Sequence, residues 1–97
     1  MSKFGITKNP SDLLIEIASK HRDIRKLTGL SQSELAERSG VSLGSLKRFE
    51  RTGHISLQSL LLLSHVLNRL EEFDLIFKPK ENLDDIEKLF SDKTRKS

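Results

Sequence analysis

Apolar and polar positions alternate with a period of three to four residues through most of the chain, which predicts helices and no sheet. Leu13, Leu14, Ile17, Ala18, His21, Ile24 and Leu27 form one such stripe. The helix carrying it is expected to open at Pro10 and Ser11. Proline fits a first turn, Ser11 is a favourable cap, and Asp12 suits the positive helix end. Thr28-Gly29-Leu30 predicts a glycine stop followed by an apolar residue folding back. His21 interrupts an otherwise aliphatic stripe and is read as a neutral, hydrogen-bonded, partly buried histidine.

The stretch SQSELAERSGVSLGSLKRFERTG, from Ser31 to Gly53, predicts two short amphipathic helices joined by a tight turn. Ser31 and Glu34 are spaced as a capping box. Leu35 and Ala36 point inward, while Glu34, Glu37 and Arg38 stay in water. Gly40 stops the first helix, Val41 fills the gap between the two, and Ser42 caps the second. In that second helix Leu46 and Phe49 face inward at i and i+3, which leaves Ser45, Lys47, Arg48 and Arg51 on the opposite, cationic face. Glu50 is expected to pair internally.

Ser56 caps the next helix, in SLQSLLLLSHVLNRL. Its inward face is Leu57, Leu60, Leu61, Ser64 and Leu67, widened by Leu63 and Val66, with Leu62 stranded outside. Being apolar almost all round, it is expected to be covered on two sides. Asn68 can stand in for glycine as a left-handed stop. A fifth helix is expected from Leu70 to Phe77, ended by Pro79, with a short strand at DLIF as the alternative, the run being too short for periodicity to decide. Residues 81–90, ENLDDIEKLF, place Leu83, Ile86, Leu89 and Phe90 on one side of a further amphipathic piece, too short to be stable alone.

Two crossed helices with a glycine turn and a basic second helix describe a DNA-binding helix-turn-helix. The stretch resembles the Cro/lambda-repressor-type (XRE) helix-turn-helix family, whose pattern runs L-S-Q-x-E-L-A, then G-V-S, then a helix ending in a glycine turn. Leu30, Ser31, Gln32, Glu34, Leu35, Ala36, Gly40, Val41, Ser42, Leu46, Phe49, Glu50 and Gly53 carry the resemblance. It implies an all-α, five-helix lambda-repressor-like domain over residues 11–78; outside it, the lack of periodicity over 1–10 reads as a flexible arm, and 79–97 as an acidic amphipathic tail with a basic terminus. It also implies that Ser42, Leu43, Gly44, Lys47 and Arg48 face DNA bases and that Gln32 takes a phosphate. Ser45, Arg51, Thr52 and His54 are further phosphate candidates. Arg48 suits bidentate contact with guanine, and Leu43 can offer only apolar contact. Gly44 weakens its helix, either to let the backbone approach the groove or as a tolerated defect.

Proteins of this fold usually bind palindromic operators as symmetric dimers, and the surplus apolar surface places that contact at Leu62, Val66, Leu70, Phe73 and Phe77. The phrase LKRFERTGHISLQSLLLL, the small size and the tail also resemble HipB-type antitoxins, which implies a HipA-like kinase toxin as a partner. A stand-alone or phage-type repressor is the alternative, as is an adaptor that keeps the fold without binding DNA.

Composition narrows this further. Hydrophobic residues at 35% and charged residues at 32% suit one soluble domain with a modest core. There is no cysteine, and the three histidines fall on different elements, so neither a disulfide nor a metal site is expected. No catalytic set, Walker loop or dinucleotide motif is present, so a binding module without cofactors is expected rather than an enzyme. With no signal peptide or membrane-length apolar run, the expected location is the cytoplasm, at the nucleoid. Residues 1–69 hold 11 Lys/Arg against 6 Asp/Glu, a net of +5, whereas residues 71–92 hold 3 against 8, a net of −5. A basic body and an acidic tail imply two surfaces with different partners.

Overall fold

The computed structural model describes residues 8–79, which form four α-helices and a 3-10 helix with no strand among them. They are α1 (Pro10–Thr28), α2 (Gln32–Ser39), α3 (Leu43–Thr52), α4 (Leu57–Val66) and the 3-10 helix Leu70–Leu75. The expected all-α architecture is therefore the one observed. Most of the N-terminal arm, and the amphipathic piece at residues 81–90, lie outside the described residues.

Three of the four α-helices open on the serine the sequence nominates. Ser31, Ser42 and Ser56 each accept a hydrogen bond from the backbone N–H three residues on. Glu34 closes the capping box by accepting from the Ser31 amide at 2.8 Å. The Ser31 backbone and side-chain hydrogen bonds hold the Glu34 carboxyl below the usual carboxylate range. At α1 the expectation needs correcting. The cap is Asn9, whose Oδ1 accepts from the Asp12 amide at 2.8 Å, and Ser11 lies inside the first turn. Asn9 precedes Pro10, so the extended backbone that proline imposes on it is also the backbone an N-cap needs.

The core is Ala18 from α1, Leu30, Leu35 and Ala36 around α2, Val41 in the turn, Leu46 and Phe49 from α3, and Leu63 and Leu67 at α4. Val41 fills the gap between α2 and α3 as expected. In α1, however, the buried face is Ala18, His21 and Arg25. Leu13, Leu14, Ile17 and Leu27 of the expected stripe are exposed, and Leu57 of α4 is too. The α1 face turned inward is centred on Ala18 and His21, where the helix crosses α3. Residues near either end of the stripe overhang that crossing.

Asn68 adopts the left-handed conformation expected of it, with φ 62°. The Asn68 amide donates to the His65 carbonyl and the Arg69 amide to the Ser64 carbonyl, the two bonds of a Schellman stop. The fifth helix is shorter and tighter than expected. It is 3-10 rather than α, and Ile76 is extended, so it ends before Pro79 is reached. DLIF is accordingly not a strand. Phe77 is left-handed, at φ 63°, and 99% exposed.

Gly53 ends α3 at φ 84°, where an L side chain is strained. A Cβ there would also lie 2.6 Å from the Leu14 carbonyl oxygen and 2.8 Å from the Leu14 Cβ. Gly44 has an ordinary helical backbone and open space around it. Gly53→Ala is therefore expected to lower the thermal midpoint, costing more than the ~1–2 kcal/mol of the left-handed strain alone. Gly44→Ala should raise stability by about 1 kcal/mol. Paired thermal melts check both, and equal midpoints for Gly53→Ala and wild type would contradict the close approach to α1.

Candidate nucleic-acid interface

The outward face of α3 is assembled from its inward one. Leu46 and Phe49 are fully buried, which fixes the rotation of the helix about its own axis. Gly44, Lys47, Arg48 and Arg51 then share the opposite face at i, i+3, i+4 and i+7, all of them exposed. No acidic residue occurs between positions 42 and 49.

The helix is held at its other end by a buried ion pair. The Arg25 Nε donates to Glu50 Oε2 at 2.7 Å and its Nη2 to Oε1 at 3.0 Å, while Nη1 donates to the Leu30 carbonyl at 2.8 Å. Gln32 Nε2 adds a further bond to Glu50 Oε1 at 2.8 Å. The two charged side chains are only 9% and 4% exposed. Burial by itself would raise the Glu50 carboxyl, but the hydrogen bonds from Arg25 and Gln32, with the charges of Arg25 and Arg22, outweigh it and hold the group below its ordinary value. The expected internal pairing of Glu50 is thus present, whereas the burial of Arg25 was not foreseen. Removing one partner of such a pair costs ~3–5 kcal/mol, because the other charge is left stranded.

His21 braces α3 from α1. Its ring meets the Phe49 ring edge-on with centroids 5.3 Å apart, and Nε2 lies 3.2 Å from the Ser64 hydroxyl of α4. Burial pushes the imidazole below its ordinary value of 6.5, aided by the positive charges of Arg25 and Arg69 against the opposing pull of Glu50. His21 is the neutral, hydrogen-bonded histidine the sequence suggested.

Several candidate contact residues are already occupied. The Ser42 hydroxyl accepts from the Ser45 amide at 3.1 Å and donates to Ser45 Oγ at 2.9 Å, which leaves the Ser45 hydroxyl proton free. Thr52 Oγ1 donates its one proton to the Arg48 carbonyl at 2.7 Å and accepts from the His54 amide, so it is a poorer phosphate donor than its position suggests. Leu43 packs half-buried against the core and offers only an edge outward. Half of the Gln32 amide is turned inward to Glu50.

The remaining candidates fall on two flanks of α3. On one, Ser45, Arg48 and His54 line a depression of about 180 Å³ with Ile55, Ser56 and Ser59 from the start of α4. On the other, Gln32, Lys47, Glu50 and Arg51 line an open depression of about 560 Å³ together with Arg22, Arg25 and Lys26 from α1. Arg22 and Lys26 were not singled out from the sequence. Their i, i+4 spacing was visible, but not that α1 crosses α3 on that side.

A model of the helix-turn-helix family matches residues 22–73. That span runs from the second half of α1 into the 3-10 helix. The chain belongs to the helix-turn-helix family. This helix-turn-helix protein is of the Cro/lambda-repressor-like type, a DNA-binding transcription regulator. No curated protein and no solved structure matches it. No helix among its described residues is long and apolar enough to cross a membrane, and none of those residues form a cluster able to hold a metal ion.

Because folded His21 resists protonation and the unfolded chain does not, its contribution to stability is complete above pH ~6.5 and is lost as pH falls below that value. Glu50, with its folded value depressed, contributes in a separate and more acidic window, lost as pH falls below about 4.5. Denaturant unfolding of the helix-turn-helix protein at a series of pH values should show both losses. In His21→Leu the loss that sets in below about pH 6.5 should vanish, and its persistence would show that another group causes it.

Proposed function

We propose that this regulator is a repressor that binds a palindromic operator as a homodimer, with α3 in the major groove. The observation that carries the reading is the outward face of α3. Gly44, Lys47, Arg48 and Arg51 form an acid-free strip on a helix whose opposite face is locked by Leu46, Phe49 and the Arg25–Glu50 pair. In this reading Lys47 and Arg48 address base edges, with Arg48 bidentate to guanine. Gly44, without a side chain and with no neighbour that needs its space, lets the strip approach the groove floor. Ser42 and Leu43 lie at the rim, one spent on capping and the other on packing. Ser45, His54 and Arg51 take phosphates on the two flanks, with Gln32 contributing its free amide hydrogen. The protein acts by binding, not by catalysis.

A second copy is the proposed cover for the apolar side of α4 and the segment after it. Leu62 and Leu70 are exposed, Val66 and Phe73 half-buried, and Phe77 is bare. Two such units would set their α3 helices ~34 Å apart on one face of the duplex. Within this class, the acidic tail and the phrase LKRFERTGHISLQSLLLL favour an autoregulating antitoxin that also holds a HipA-like kinase toxin. Against the adaptor alternative stands the undiluted cationic face of α3.

Arg48→Ala is expected to weaken operator binding by ~1–3 kcal/mol and to relax the preference at one base pair. Fluorescence anisotropy against a panel of single-base operator variants measures this, and an unchanged affinity across the panel would take α3 out of the groove. Phe77→Glu, at a position that contributes nothing to the packing of one copy, should give a folded monomer with poor operator affinity. Sedimentation of the wild type as a monomer at micromolar concentration would refute the dimer.

A further inference from the structure

We propose that Arg22 and Lys26 of α1, with Arg51 of α3, form a clamp for consecutive phosphates of the DNA backbone, so that α1 is part of the DNA-contacting surface. The inference deepens the DNA-binding reading above and rests on it. Its starting point is how the cations of the described residues are used. Lys8 and Lys20 pair with Glu16, Arg69 pairs with Glu72, and Arg25 pairs with Glu50. Arg22, Lys26, Lys47 and Arg51 make no ion pair among the described residues, and all four line the same open depression. One carboxylate, Glu50, lies in its wall. Both Glu50 oxygens are already occupied, Oε2 by Arg25 and Oε1 by Arg25 and Gln32. The floor is therefore a neutral, hydrogen-bonded pair, and the rim carries four uncompensated positive charges.

Like charges gathered around a concavity repel one another and concentrate anions there. The depression is about 560 Å³ and open, which suits a chain passing through rather than an enclosed small molecule. Lys47, proposed to meet base edges, joins this depression to the reading strip of α3, so a strand read by Lys47 and Arg48 would lay its own backbone along this flank beside Arg51. The clamp would carry no sequence information. It would set register, and it would explain why Gln32 can spend half of its amide on Glu50. A phosphate chemistry of this kind has two sources, the DNA backbone and a free phosphoanion, and the experiment separates them.

The test uses the full chain, as wild type, as Arg22→Ala/Lys26→Ala and as Lys20→Ala, a control at a cation on α1 that already has a partner. Anisotropy with operator and mixed-sequence duplexes is recorded between 50 and 200 mM salt. The double variant should weaken both duplexes by the same factor and keep the base preference. It should make the log–log salt slope shallower by about 0.9 for each phosphate that the variant no longer neutralises. Lys20→Ala should match wild type in both binding and slope, and thermal melts should show all three folded at the temperature of the titration. A wild-type slope in the double variant would overturn the clamp while leaving DNA binding by α3 intact. Wild type that binds neither duplex would bring down the DNA reading and the clamp together. Inorganic pyrophosphate, titrated against the amide resonances around Arg22 and Lys26, supplies the other arm. Saturable shifts there, combined with an unchanged DNA slope in the double variant, would assign the depression to a free phosphoanion instead.

Discussion

The Arg25–Glu50 pair is the constraint on which the rest of the molecule depends. A guanidinium on α1 meets a carboxylate on α3 through two bonds and closes the α1–α2 turn through a third, to the Leu30 carbonyl. Gln32, the first residue of α2, joins the same carboxylate. Three helices therefore converge on one hydrogen-bonded cluster. Burying two charges is costly, and an apolar substitute of the same volume can be at least as stable. What a planar, five-donor fork supplies is geometry, which neither a leucine nor a lysine would reproduce. With Leu46 and Phe49 buried on the neighbouring face, α3 is anchored along its core side and near its C-terminal end, and its cationic strip points one way.

The same residue types serve opposite ends elsewhere in the chain. Of the serines, Ser31, Ser42 and Ser56 are spent on helix amides, and Ser64 is buried against His21. Of the arginines, Arg25 goes inward as structure, while Arg22, Arg48 and Arg51 stay outward and unpaired among the described residues. This division gives the molecule a rigid, internally neutral base beneath an uncompensated positive surface. That combination suits a DNA-binding regulator, because phosphate contacts fix the register of the base-reading side chains only when the reading helix is held in place.

Apolar surface is distributed less evenly than charge. The first half of α1 exposes Leu13, Leu14, Ile15 and Ile17, and the far end of the described residues exposes Leu70, Leu75, Ile76 and Phe77. A left-handed backbone at a bulky aromatic is unfavourable, and Phe77 holds it while 99% exposed, with no packing against the described residues in return. The surface at that far end is the one that the proposed second copy would cover.

The sequence by itself determined the elements and their ends. Caps at Ser31, Ser42 and Ser56 and stops at Gly29, Gly40, Gly53 and Asn68 depend on bonds spanning three to five residues, so local spacing suffices to read them. The helix-turn-helix was legible for the same reason, since Val41, Leu46 and Phe49 pack within one short unit. Asn9 was missed in favour of Ser11 because both are good caps, and the extended backbone imposed by Pro10 favoured the earlier one. Tertiary structure alone decided which side of α1 is covered. A helical stripe gives a direction but not the length over which a partner helix lies on it, so Leu13, Ile17 and Leu27 could not be told from Ala18 and His21. It also decided the fate of the charges. Nothing local separates Arg25, buried against Glu50, from Arg22 and Lys26 on the neighbouring face, because their partners arrive from α3, more than twenty residues away in the chain.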